Sequence, residues 1–159
     1  MTTLGGIGHM NIAADSVDGV RTALRELLAK VERPLVGVSC LARGGDTLFA
    51  EAVLEAGGEL VVVLPSRDYR ERKVKPDHAE TFDRLFKAAR EVVVLDHDTA
   101  RKEAYEDANR ELLGRSERVV AVWDGSPPPG TGSTGDTVAE AREMGVPVDV
   151  VWPVGSRRD

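Results

Sequence analysis

Strand-like apolar runs alternate with helical spacings from one end of this sequence to the other, and that alternation leaves few folds open. Leu60-Val61-Val62-Val63-Leu64 is apolar at every position, which suits a strand covered on both faces. Leu35-Val36-Gly37-Val38, Val92-Val93-Val94-Leu95, Val119-Val120-Ala121-Val122-Trp123 and the run from Val146 to Trp152 read the same way. Leu4-Gly5-Gly6-Ile7-Gly8 is a first strand, weakened by its glycines. Between these runs apolar residues recur three and four apart: Val17, Val20, Leu24, Leu27 and Leu28, then Leu48, Phe49, Ala52 and Val53, and so on to Val138 and Ala141. That spacing places them on one face of a helix. Strand and helix in strict alternation predict a mostly parallel sheet with helices on both faces and right-handed crossovers. The expected fold is a three-layer α/β Rossmann-like domain over residues 1–159, with a sheet of about six strands.

Local signals fix some of the joints. Asp15 or Ser16 is placed to cap the first helix, and Ser133 or Thr134 the last. Residues 66–76 carry Arg67, Arg70, Arg72, Lys73 and Lys75 around Tyr69 and read as a surface loop, either a solvated charge run or a lid over phosphates. The tail from Gly155 to Asp159 is expected to fray.

Composition narrows the function. Aromatics are only 4% of the 159 residues, so the core must be built from Val, Leu, Ala and Ile. A net charge of -6 argues against a protein that holds nucleic acid by neutralising many phosphates. It leaves room for a small anion, which backbone N–H groups bind without net positive charge. The single cysteine, Cys40, has no partner for an internal disulfide, which points to a cytoplasmic protein. No apolar run approaches membrane-spanning length. His9, His78 and His97 show no metal-ligand spacing, so neither a metal nor another cofactor is expected.

An open parallel sheet binds ligands beyond the carboxyl ends of its strands, where the strand order reverses. The loops that follow the expected strands are therefore the places to look. Pro129-Gly130-Thr131-Gly132-Ser133-Thr134-Gly135-Asp136 runs directly into a helix. Its glycines let the backbone approach an anion, its hydroxyls add donors, and the helix start supplies unpaired N–H groups. Ser39-Cys40-Leu41-Ala42-Arg43-Gly44-Gly45-Asp46 also opens a helix; Arg43 is a candidate anion ligand, and Asp46 a candidate cap or loop organiser. Gly8 and His9 end the first strand, and Trp123 and Asp124 the fifth. His9 can meet a phosphate or a base edge, Asp124 a ribose hydroxyl, and Trp123 either a base or the core. The expected ligand-binding set is thus Gly8, His9, Ser39, Arg43, Gly44, Gly45, Trp123, Asp124, Gly130, Thr131, Gly132, Ser133 and Thr134.

The run from Ser39 to Asp46, with the Ala-rich helix and strand that follow it, resembles the Rossmann-like domain of the DNA-processing proteins of the DprA group. There the corresponding run is often Ser-Gly-Leu-Ala-Arg-Gly-Ile-Asp. The glycine–threonine loop at 130–137 is similar to the phosphate-binding loop of the wider superfamily that includes the LOG-type proteins, also labelled lysine decarboxylases. This resemblance implies a nucleotide held between the two loops; in LOG-type enzymes the N-glycosidic bond of a nucleoside monophosphate is hydrolysed. Their loop carries a glutamate, Pro-Gly-Gly-x-Gly-Thr-x-x-Glu, whose place here falls on Thr134 or Thr137 according to register.

The function expected from the sequence is therefore binding of a phosphate-bearing, nucleotide-like small molecule, by a protein that forms a homo-oligomer, in the simplest case a dimer, and engages neither membrane nor nucleic acid. Hydrolysis of a nucleoside phosphate, with Asp46, Asp124, Asp136 or Glu140 as the acid or base, is the alternative. A non-catalytic interaction subunit is the third.

Overall fold

The computed structural model describes residues 1–127 and 133–159. Its strands are β1 (Thr2–Gly8), β2 (Leu35–Ser39), β3 (Glu59–Leu64), β4 (Glu91–Val94), β5 (Arg118–Val122) and β6 (Val148–Val151). The helices are α1 (Val17–Ala29), α2 (Gly45–Glu55), α3 (Tyr69–Lys73), α4 (Pro76–Ala88), α5 (Lys102–Arg115) and α6 (Thr134–Glu143). All five strand pairings are parallel, in the order β4-β3-β2-β1-β5-β6. The chain builds outward from β1 to β4; α5 then carries it back across the sheet to β5, on the other side of β1. The strand order therefore reverses between β1 and β5, which is where such sheets bind ligands.

Alternate residues of each buried strand feed opposite faces, as the period of two requires. In β3, Val61 and Val63 join the layer under α5 and α6, whereas Leu60, Val62 and Leu64 pack with Phe82 and Leu85 of α4. Leu4, Val120 and Val122 pack against Leu24 and Leu28 of α1 and Phe49 and Val53 of α2. The result is the expected three-layer Rossmann-like α/β architecture with a parallel six-stranded sheet.

The glycines that weaken β1 as a strand are what let α2 lie against it. A Cβ on Gly6 would stand 2.0 Å from the Phe49 ring, and one on Gly8 2.8 Å from the Cα of Gly45. Gly44 turns into the helix at a φ of 81°, where a side chain would strike the His9 carbonyl. With nothing in the way, the Gly45 N–H donates to that carbonyl at 2.9 Å. The start of α2 is thereby fixed to the end of β1.

Three local expectations are corrected. Residues 66–76 are not all loop: α3 forms within them because Tyr69, 7% exposed, anchors it against Phe82. Ser16 does not cap α1; its buried hydroxyl accepts from the Arg157 N–H at 2.8 Å. Nor is the tail frayed. Arg158 forms an antiparallel bridge with Ile12, the Ala13 N–H donates to the Arg157 carbonyl, and the Asp159 N–H donates to the Asn11 carbonyl. The Arg157 carbonyl and the Arg157 and Asp159 N–H groups are all paired with residues 11–16. Among the described residues, no helix is long and apolar enough to cross a membrane.

Candidate functional site

A cavity of about 700 Å³ opens at the carboxyl ends of the central strands. Ile7, Gly8 and His9 line it from the end of β1, Cys40 and Ala42 from beyond β2, Ser126 and Pro127 from beyond β5, and Ser133 and Thr134 from the start of α6. Tyr69 and Lys73 of α3, Lys102, Tyr105, Glu106 and Asn109 of α5, Asp46 of α2 and Arg158 of the tail also line it.

The switch point itself is closed by a polar network. His9 is 5% exposed, and its Nε2 lies 3.0 Å from Asp124 Oδ1 and 3.1 Å from the Asp124 backbone nitrogen. A protonated Nε2 donates to the carboxylate; a deprotonated one accepts from the amide. Burial holds the imidazole below its ordinary value, against the opposing pull of the Asp124 hydrogen bond. Asp124 also accepts from the Ser126 N–H at 3.0 Å and faces the Arg158 guanidinium at 3.5 Å. Its carboxyl is held well below the usual carboxylate range: hydrogen bonds from Ser126 and His9 outweigh the desolvation that would raise it.

Asp46 forms a second polar centre on the cavity wall. Its Oδ2 accepts from the Ala42 N–H at 3.3 Å, which organises the loop as expected, but no side-chain bond caps α2. Burial pushes its carboxyl up to about 7, although the Ala42 and Gly8 backbone hydrogen bonds act the other way. Asp46 keeps part of its surface, as does Cys40 beside it, and both line the cavity. Burial also pushes the Cys40 thiol and the Tyr69 phenol up, and the Asp46 charge adds to both shifts. A high thiol pKa makes Cys40 a poor nucleophile.

At α6, Ser133 makes a capping box: its Oγ accepts from the Asp136 N–H, and the Asp136 carboxylate accepts from the Ser133 N–H. This is the cap expected at Ser133 or Thr134, and it presents the start of α6 to the cavity. Gly130, Thr131 and Gly132 lie outside the described residues.

The structure brings Gly8, His9, Ser133 and Thr134 together on the cavity wall. Asp124 sits behind His9, where it sets the orientation of the ring. Ser39 is fully buried; its hydroxyl donates to the Asp46 carbonyl and accepts from the Leu41 N–H, so it shapes the loop from inside. Gly44 and Gly45 seat α2 on β1 rather than line the cavity, and the Gly45 N–H is already taken by the His9 carbonyl. Arg43 turns outward to Asp77, at 3.1 Å, rather than pairing with Asp46. Trp123 packs in the core with Val138 and Ala141, donates its indole N–H to the Ser126 carbonyl and is covered by the Arg142 guanidinium.

Of the other two histidines, His97 is 29% exposed and contacts Asp107 at 2.6 Å, and the His78 ring bonds the Leu41 carbonyl at 3.1 Å. Among the described residues, no group of three or more His, Cys, Asp or Glu side chains is placed to hold a metal ion.

The lining also includes Tyr69, Lys73, Lys102 and Arg158, none of them in the expected ligand-binding set. Tyr69 carried a signal, being the lone aromatic in a charged run. Arg158 carried none, because its place depends on a hydrogen bond to Asn11, 147 positions earlier.

No protein-family description matches the sequence, and no curated protein matches it. Solved structures do. DNA processing protein A from Streptococcus pneumoniae aligns with a TM-score of 0.66 at 20% identity, over 94% of this chain and 49% of that one. The protein of the same name from Helicobacter pylori, studied for its single-stranded DNA binding mode, aligns with a TM-score of 0.67 at 18% identity, over 99% of this chain and 68% of that one. The molybdenum cofactor carrier protein of Chlamydomonas reinhardtii gives 0.58 at 17% identity, over 94% and 75%. This chain spans about half the length of the Streptococcus protein. At these identities the likeness is one of fold, and the chain has the Rossmann-like fold shared by the DprA and molybdenum-cofactor-carrier structures.

Proposed function

We propose that this chain binds a phosphate-bearing, nucleotide-like small molecule in the cavity at the β1–β5 switch. The observation that carries the reading is the distribution of chemistry around that cavity. Its lining combines apolar Ile7, Ala108 and Leu112 with the start of α6, the cations Lys73, Lys102 and Arg158, and the carboxyl groups of Asp46 and Glu106. Among the described residues, neither lysine has an ion-pair partner. An apolar surface beside anion-competent groups suits a base and sugar joined to phosphate. The volume is that of a small-molecule site. One structurally similar protein binds single-stranded DNA and another carries the molybdenum cofactor, which supports a binding role for the fold here. The net charge of -6 favours a small ligand over a nucleic acid strand.

Titration calorimetry with AMP, ADP, ADP-ribose and cyclic nucleotides tests the reading. Saturable binding of at least one is expected, and the absence of saturable heat at millimolar concentration for all of them would favour a plain interaction subunit. A homodimer is part of the same proposal. The edge strands β4 and β6 leave Val94 and Val150 exposed, and light scattering reads the subunit count.

Asp46 favours a second reading, hydrolysis of an N-glycosidic bond. A carboxyl that titrates near 7 on a cavity wall is matched to general-acid work at neutral pH. The C1′–N bond would break as the Asp46 proton passes to the departing nitrogen. A water oxygen would add to C1′, and its proton would return to the Asp46 carboxylate. Of the other candidate carboxylates, Asp136 is committed to the capping box, Asp124 to His9 and Ser126, and Glu140 lies 3.8 Å from Arg110. Release of free adenine from AMP, abolished in Asp46→Asn, would establish this reading; no release from the wild-type protein would leave binding alone.

A further inference from the structure

Arg158 reaches the cavity from a segment far from every sequence motif of the site. Its backbone is pinned by the bridge to Ile12, between the Ala13–Arg157 and Asp159–Asn11 hydrogen bonds. Its Nε donates to Asn11 Oδ1 at 3.0 Å, which sets the plane of the guanidinium. Among the described residues, one further polar contact holds the head group, a nitrogen 3.5 Å from Asp124 Oδ2. That distance is long for a hydrogen bond. The side chain is 38% exposed, so water competes for the contact.

We propose that Arg158 is the residue that makes the cavity prefer a phosphorylated ligand to its unphosphorylated counterpart. The inference rests on the nucleotide-binding reading given above. Two features support it. First, a guanidinium offers a planar fork of N–H groups that fits two oxygens of one phosphate. Asn11 occupies the Nε side of this fork, a terminal nitrogen faces Asp124, and the residue lines the cavity. Second, the existing partner can be given up at small cost. Asp124 keeps its hydrogen bonds to the Ser126 N–H and to His9 when Arg158 turns away. Phosphate would thus replace a loose carboxylate contact on a cation already positioned by the backbone.

The test is a comparison of AMP with adenosine on the full chain, by calorimetry, for the wild type, Arg158→Gln and Arg158→Glu. Circular dichroism would verify that both variants fold. The wild type should bind AMP more tightly than adenosine. Loss of one charge-assisted contact should weaken AMP by about 10-fold or more in Arg158→Gln, and further in Arg158→Glu, while adenosine affinity stays flat. AMP affinity that ignores the charge at position 158 would overturn the proposal. So would a parallel fall for adenosine, since it would mean that Arg158 only shapes the wall. A wild-type protein that binds neither compound would instead remove the nucleotide reading, and this inference with it.

Discussion

His9 Nε2 lies 3.0 Å from Asp124 Oδ1, and that contact joins the carboxyl ends of β1 and β5 across the point where strand order reverses. Parallel strands leave a crevice at such a point. Here a buried imidazole forms its floor and a carboxylate braces the imidazole from behind.

The brace should be readable in the titration of His9. Burial lowers its pKa from 6.5, the Asp124 hydrogen bond raises it, and the Arg158 charge lowers it. Asp124→Asn should therefore drop the His9 pKa further, and Arg158→Gln should raise it, both measured by NMR of the ring carbons. Below about 6.5 the unfolded chain takes up this proton before the folded one does, so His9 lowers stability as the solution is acidified.

Asp46 has the opposite dependence. Its carboxyl is raised from 3.8 to about 7. Between those values the folded protein holds a proton that the unfolded chain has lost. Stability should therefore fall as pH rises through this window and level off above about 7. Asp46→Asn removes the penalty and should stabilise the protein at pH 8 by on the order of 2 kcal/mol, and by less at pH 4. Urea denaturation at the two pH values checks it.

The seat of α2 on β1 allows little tolerance. A methyl group on Gly8 would stand 2.8 Å from Gly45 Cα and 2.9 Å from the Val122 carbonyl, both backbone. Since no side chain can rotate out of the way, Gly8→Ala should cost about 1–3 kcal/mol and reduce ligand affinity, because the start of α2 must lift. Denaturation midpoint and nucleotide affinity should fall together.

A buried hydroxyl holds part of the tail. Ser16→Ala would leave the Arg157 N–H without its partner, a loss of about 1–3 kcal/mol at a buried position. Hydrogen exchange at Arg157, Ala13 and Asp159 should accelerate relative to the sheet amides, while exchange in β3 stays unchanged.

The sheet was legible because its signal is local. Leu60 to Leu64 could only be a strand buried on both faces, and the period-four spacing from Val20 to Leu28 only a helix. The β1–β5 pairing of His9 with Asp124 was half legible: both positions fell at strand ends, but their meeting depends on α5 crossing the sheet. What escaped was decided by distant partners. Arg43, expected as an anion ligand, turns to the carboxylate of Asp77, 34 positions away. Tyr69 nucleates α3 through Phe82, and Arg158 enters the cavity only because the tail pairs with residues 11–13. Each is a tertiary contact that overrides a local pattern reading as loop, ligand or frayed end.

The most direct measurement is a titration of the 15N-labelled protein with AMP. Saturable shifts are expected at the amides of Gly8 to Asn11, Ser133 to Thr137 and Arg158, which surround the cavity from three separate segments. Saturable shifts confined to the far side, around His97 and Asp107, or no saturable shift at millimolar AMP and ADP-ribose, would contradict a nucleotide site at the β1–β5 switch.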